Sequence, residues 1–157
     1  EFLEHLIDTG KLDIRNASLE DRITYHDSCY LGRHNDVYMA PRKIVGSIKG
    51  VQIVEMPRNG TQGMCCGAGG ARMWMEESIG TKVNDERAQE AISTGASRVA
   101  TACPFCYIML DDGVKAAGKE ETDVKVADIA IHLLDALENG ERNLANQNAP
   151  LATSAGE

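Results

Sequence analysis

The sequence predicts an α/β fold with a small, mainly parallel sheet flanked by helices. Three observations lead there. Segments of strand character alternate with segments of helical character along the chain. The stretch Arg98-Val99-Ala100-Thr101-Ala102 shows little polarity, as expected of a strand covered on both faces in a parallel sheet. Glycine and asparagine punctuate the segments where helices and strands should stop.

Taken in order, Phe2, Leu3, Leu6 and Ile7 fall at helical spacing, and Gly10 follows as a stop. Arg22-Ile23-Thr24-Tyr25-His26 alternates as a strand and runs into Asp27-Ser28-Cys29. After a loop, Pro41 to Ile48 reads as a short helix with proline in its first turn. Val51 to Met56 reads as a second strand, closed by Pro57 and the turn Asn59-Gly60. Gly63 to Gly70 is a glycine-rich loop. A helical region is expected from there to about Thr94, broken near Gly80, with Gly95 past its end. Arg98 to Ala102 is the next strand, and Cys103-Pro104 opens a helix through about Ala116. Val124-Lys125-Val126 is a last short strand. Asp128 is placed to cap a final helix striped by Ile129, Leu133, Leu134 and Leu137 and ended by Gly140. Residues 1–140 therefore read as one domain, and residues 141–157, rich in Asn, Ala and Ser without periodicity, as a disordered tail.

Bulk properties narrow the function classes. The 157 residues suffice for a real core, with 43% apolar but only 4% aromatic residues, so small and aliphatic side chains must pack it. The formal net charge of −8 and the lack of any lysine/arginine run argue against nucleic acid as a partner and against a basic membrane-surface patch. No stretch approaches the roughly 18 consecutive apolar residues of a membrane span. The start, Glu1-Phe2-Leu3-Glu4-His5, has no initiator methionine or signal-peptide pattern and reads as the inside of a helix. The chain is therefore expected to be a fragment of a longer protein.

Five cysteines form an odd count, ill suited to a secreted disulfide framework, and clustered thiols in a reducing compartment bind metal or carry out redox chemistry. Cys29 lies just past one strand, Cys65 and Cys66 in the loop after another, and Cys103 just past a third. Loops at the carboxyl ends of parallel strands converge on a common crevice, so thiols far apart in sequence can meet there.

The pattern is Cys29, 35 residues, Cys65-Cys66-Gly67, 36 residues, then Cys103-x-x-Cys106. With Tyr25-His26-Asp27-Ser28-Cys29-Tyr30-Leu31-Gly32-Arg33, Ala40-Pro41-Arg42, Cys65 to Gly70 and Ala102 to Cys106, it resembles the cysteine-rich, CCG-type domain of the heterodisulfide reductase B subunit and its relatives. Those relatives include iron–sulfur subunits of anaerobic glycerol-3-phosphate dehydrogenase and of lactate-utilisation complexes. They also include large iron–sulfur oxidoreductases that pass electrons from electron-transfer flavoprotein to quinone. The match runs from about Ile23 to Leu137. It departs at Ser28, where the family more often has proline, and in carrying one such domain where relatives usually carry two.

The resemblance implies that Cys29, Cys65, Cys66, Cys103 and Cys106 hold a noncubane 4Fe–4S cluster, with zinc as the alternative. Gly67, Gly69 and Gly70 would offer backbone N–H groups to the cluster sulfides. The implied role is an electron relay between a flavin or cluster donor and a quinone or disulfide acceptor, not catalysis by this piece alone. Implied partners are the rest of a parent oxidoreductase, with a second cysteine-rich domain, and a flavoprotein or quinone. The implied location is the cytoplasm or the cytoplasmic face of a membrane. Donor chemistry bears on the choice of metal, since a structural zinc site closes with four ligands and leaves a fifth thiol over.

Competing readings remain. A zinc-stabilised interaction domain is one. Cys103-Pro104-Phe105-Cys106 alone resembles a glutaredoxin motif, with Cys103 at a helix N-terminus. That fold needs a downstream proline beside the motif, and the sole proline after Pro104 is Pro150. The glycine loop lacks the Gly-Lys-Ser/Thr ending of a phosphate loop. His26 reads either as a histidine satisfied at a strand end or as a hydrogen-bond donor or proton relay beside a cluster. Arg33 and Arg72 are candidates to balance thiolate charge, or are solvated or ion-paired side chains. His5, His34 and His132 are assigned to structure or surface. Met64, Met73, Trp74 and Met75 flank the site as packing residues.

Overall fold

Ile23, Thr24, Val99 and Ala100 are fully buried, and strands built of such residues need cover on both faces. In the computed structural model, which describes residues 1–147, they belong to a four-stranded sheet. Its strands are β1 (Arg22–Tyr25), β2 (Gln52–Ile53), β3 (Arg98–Thr101) and β4 (Lys125–Asp128), in the order β2-β1-β3-β4. Every pairing is parallel: Ile23 opposes Ile53, Tyr25 opposes Ala100, and Ala100 opposes Ala127.

Alternation along the strands divides the core in two. Ile23, Tyr25 and Ala100 face one layer, packed with Ile44 and Val45 of α2 (Met39–Gly46) and Leu133 and Ala136 of α5 (Ile129–Gln147). Helix α1 (Phe2–Asp8) adds Leu3 and Ile7 to that layer. Val99 and Val126 face the other, against Ala88 and Ala91 of α3 (Val83–Ser93) and Leu110 and Val114 of α4 (Pro104–Ala116). The chain leaves β1 through α2 to β2 on one side, then crosses through α3 to β3 on the other. Strand order therefore reverses between β1 and β3, the point where open parallel sheets form a crevice.

The α/β fold with a parallel sheet is as expected, and the local signals hold where they are local. Asp128 Oδ1 accepts the Ala130 N–H at 2.9 Å and caps α5. Gly95 (φ +68°) follows α3. Three boundaries differ. The expected second strand pairs only over Gln52–Ile53, because it lies at the sheet edge and its chain turns inward to bury Met56. Residues 71–82 hold a single tight turn, Arg72–Trp74, in place of a helix, and none of their side chains is buried to support one. Helix α5 runs through Gly140 to Gln147, into the expected tail. Gly140 is not a stop: a Cβ there would lie 1.7 Å from the Asn16 carbonyl oxygen, so glycine serves the crossing of the helix over the chain. The rest of the expected tail, 148–157, lies outside the described residues.

At the amino edge of the sheet, Arg98 joins Asp21 and Asp135 at 2.6 Å each, and Lys125 joins Asp135 at 2.7 Å. His132, fully buried, sits among them, with Nε2 on the Val99 carbonyl (3.2 Å) and Nδ1 facing Arg98 Nη1 (3.3 Å). An arginine can only donate, so the ring is neutral with its proton on Nε2. Burial holds His132 down to about 4; the adjacent Arg98 adds to this, while the Val99 carbonyl opposes it. The unfolded ring takes a proton near pH 6.5 and the folded ring near 4, so unfolding binds a proton between these values. Stability should therefore fall as pH drops from about 6.5 to about 4, by on the order of 3 kcal/mol from this group. Denaturant midpoints across that range should show it, and His132→Gln should flatten the limb; an unchanged slope in the variant would reject the assignment.

Candidate functional site

The three chain segments that leave the carboxyl edge of the sheet carry all five cysteines to one place. After β1, His26-Asp27-Ser28 continues the strand, and Cys29 opens a wide turn at Tyr30–His34. After β3, Cys103 is the N-terminal boundary residue of α4, with Pro104 at its first position, and Cys106 lies in its first turn. Cys65 and Cys66 arrive on the glycine-rich loop that follows β2. A cavity of about 600 Å³ is lined by Cys29, Cys65, Cys66, Cys103 and Cys106, and none of the five is in a disulfide. Cys66 and Cys106 are buried, Cys65 and Cys103 half-buried, and Cys29 exposed. Tyr30, Trp74 and Phe105, all largely exposed, also line it, so the cavity is apolar around its sulfurs.

At the inner wall, ligand atoms of His26, Cys66 and Cys106 lie within 4.8 Å of one another. A hydrogen bond with the Cys106 thiol holds Cys66 well below an ordinary thiol despite its burial, and His26 and the Ala68 N–H add to this. The same bond, with burial, pushes the Cys106 thiol up.

The predicted glycines divide. Gly67 N–H donates to Cys65 Sγ at 3.3 Å, a backbone donor aimed at a thiol sulfur. Its φ of +92°, and a Cβ position only 3.2–3.3 Å from Val83, Asn84 and Met109, leave room for nothing larger. Gly69 lines the cavity, and Gly70 lies exposed beside it. Arg33 donates to the Gly63 carbonyl and Arg72 pairs with Glu77, so both are engaged by the chain itself. His5 and His34 are exposed, His34 stacking on Tyr30, and His132 is the core residue described above.

Asp27 and Arg42 hold the Cys29 segment. Arg42 grips Asp27 through two bonds (2.7 and 2.9 Å) and Glu55 through two more (2.7 and 2.9 Å), with its guanidinium carbon 5.1 Å from the Tyr25 ring centre. The Gly60 N–H adds a bond to Asp27 at 2.7 Å. Burial alone would raise the Asp27 carboxyl, but these donors hold it below its usual range. One clamp thereby ties the ends of β1 and β2 to α2.

Arg87 escaped the sequence reading, and Tyr25 and Ser28 entered it only as motif residues. Arg87 is fully buried behind His26. Its signal was present: Asn84, Arg87, Ala88 and Ala91 form the buried stripe of α3, and an arginine on such a stripe needs a purpose. Tyr25 Oη and Ser28 Oγ are buried without hydrogen-bond partners, Ser28 on the cavity wall near Cys106. Nothing in the sequence announced their orphaned hydroxyls.

A parallel α/β domain that gathers five thiols from three strand-end loops is the class that fold and site define. A family model described as "Cysteine-rich domain" (CCG) matches residues 23–111, more than half of the chain, and the chain belongs to this family. It is 48% identical over 129 residues to "Probable iron-sulfur-binding oxidoreductase FadF" of Bacillus subtilis, covering 82% of this chain and 18% of that protein. It is 43% identical over 145 residues to "EtfAB:quinone oxidoreductase" of Syntrophomonas wolfei, covering 88% and 20% respectively. To a component of the dihydromethanophenazine:CoB--CoM heterodisulfide reductase of Methanosarcina acetivorans it is 38% identical over 137 residues, covering 87% and 32%. The chain thus spans about a fifth to a third of these relatives. No solved structure matches it.

Removing Arg42 would leave Asp27 buried and unpaired. Arg42→Met should cost about 3 kcal/mol in denaturant unfolding, and Glu55→Gln, at a more exposed partner, under about 1 kcal/mol. Equal costs for the two would contradict the clamp.

Proposed function

We propose that this domain holds an iron–sulfur cluster, of the noncubane 4Fe–4S type, on Cys29, Cys65, Cys66, Cys103 and Cys106, and relays electrons as part of a longer oxidoreductase. The observation that carries the reading is the apolar cavity of about 600 Å³ lined by five unpaired thiols. Thiolate sulfur is the characteristic ligand of iron–sulfur clusters, and the surplus over four ligands suits a cluster better than a closed zinc site. When bound, the cluster supplies a centre that gains and loses electrons reversibly.

The chain's own residues would do the rest. Cys66 and Cys106, buried on the glycine-rich loop and on α4, form the rigid inner ligands, and Cys29, Cys65 and Cys103 close the outer side. Gly67 N–H and His26 supply hydrogen bonds at the sulfurs, which tune potential, and Gly69 and Gly70 keep the loop open to backbone approach. Tyr30, Trp74 and Phe105 exclude water from the mouth and present an apolar contact surface.

Donor and acceptor belong to the parent: a flavoprotein or another cluster on one side, a quinone or disulfide on the other. The names of the relatives support this assignment, and the chain's coverage of a fifth to a third of their length supports a longer parent. On this reading the domain is a relay and not a catalyst by itself. The reading places it in the cytoplasm or, through the rest of the parent, on the cytoplasmic face of a membrane. No helix among the described residues is long and apolar enough to cross a membrane.

One observation favours zinc as a second reading, the mutual 4.8 Å proximity of His26, Cys66 and Cys106. Anaerobic reconstitution with iron and sulfide separates the two. The expected result is visible absorption and an EPR signal from an assembled cluster, lost in Cys66→Ser. One bound zinc with no cluster uptake would end the redox reading. A Cys66→Ser chain that loads as well as the parent would remove Cys66 from the ligand set.

A further inference from the structure

Arg87 lies outside the five-cysteine motif, yet it is the largest fully buried side chain among the described residues. Its guanidinium sits directly behind His26. Nε–H donates to His26 Nδ1 at 3.1 Å, and Nη1 donates to the Arg58 carbonyl and the Glu90 carboxylate, both at 2.9 Å. Glu90 and Glu86 also hold Arg58, so the cation is anchored from the side away from the cysteines. These bonds fix the guanidinium plane and aim its Nε–H at one ring nitrogen.

That aim has a chemical consequence. A guanidinium donates and has no lone pair to offer, so the bond to Nδ1 exists only when Nδ1 carries no proton. The proton of the neutral ring then sits on Nε2, the nitrogen that Arg87 leaves free, in a ring with one nitrogen within 4.8 Å of the Cys66 and Cys106 sulfurs. An imidazole that ligates metal through Nε2 needs the opposite arrangement, with its lone pair on Nε2 and its proton on Nδ1. Here that would set two N–H donors against each other across 3.1 Å in a buried site.

We propose that Arg87 locks His26 in the Nε2–H form, making the imidazole a hydrogen-bond donor to the Cys66–Cys106 sulfurs and barring it from metal ligation. The consequence for redox chemistry rests on the cluster reading above, whereas the tautomer does not. Arg87 is a positioning residue that acts through His26. An N–H donor at a ligating sulfur stabilises the more negative, reduced state and raises the reduction potential.

The direct test is nitrogen-15 NMR of the thiol-reduced, metal-free chain with labelled histidine, which distinguishes protonated from unprotonated ring nitrogens. With four histidines in the chain, His26 is assigned by the signal lost in His26→Gln. The expected pattern is Nε2 protonated and Nδ1 bare; a Nδ1–H ring overturns the proposal. Arg87→Met should convert this single form into a mixture, and Arg87→Lys, which keeps a donor, should restore it in part. An unchanged tautomer in Arg87→Met also overturns the proposal.

Should Arg87→Met fail to fold, zinc added to the parent chain decides instead. Retention of the Nε2–H supports the donor role, and its replacement by a metal-bound nitrogen refutes it. In the cluster-loaded protein, His26→Leu should move the potential to a more negative value. His26→Gln, whose amide N–H can occupy the Nε2 position, should stay near the parent. A His26→Leu potential equal to the parent's counts against the proposal. Failure of the parent to load a cluster would defeat only the proposed function, leaving the NMR and zinc results to decide this one.

Discussion

The structure depends on one constraint: a parallel sheet sends the carboxyl end of every strand to the same edge. β1 and β3 are direct neighbours, with Tyr25 opposite Ala100, so the segments carrying Cys29 and Cys103 emerge side by side. β2 flanks β1 on its other side and returns the loop with Cys65 and Cys66. The reversal of strand order between β1 and β3 opens the space these segments line. Cysteines separated by 35 and 36 residues thus need no local motif to meet.

Such convergence gathers sulfur and charge in an apolar setting, and the surrounding protein answers with buried cations on defined partners. Arg42 clamps Asp27 and Glu55 at the end of β1, fixing the segment that leads to Cys29. Arg87, anchored by Glu90, stands behind His26 and the buried pair Cys66 and Cys106. Both arginines come from helices on opposite faces of the sheet, α2 and α3, so each layer contributes one support to the cysteine cavity. A buried cation without such partners would be costly.

The opposite edge has a different character. Arg98, Lys125, Asp21, Asp135 and the neutral His132 form a network that joins β3 and β4 to α5 and to the chain entering β1. It lies at the amino ends of the strands, away from the cysteines. This network and the cysteine cavity thus occupy opposite edges of the sheet. Tyr30, Trp74 and Phe105 stand exposed around the cysteine cavity.

The sequence by itself determined the fold class, the approximate strand ends, the cap at Asp128 and the set of five cysteines. Each of these is written in neighbouring residues or in a spacing. It also singled out Gly67, though it did not show that Val83, Asn84 and Met109 close around it. Only the tertiary structure decided that Gly140 lies inside a helix under the Asn16 carbonyl, and that residues 71–82 have nothing to pack against. It alone decided that Arg87, not Arg33 or Arg72, is the cation behind the site. The reason is physical: spacing and capping are properties of a chain segment, whereas close approach, burial and the partner of a charge exist only once distant segments have met.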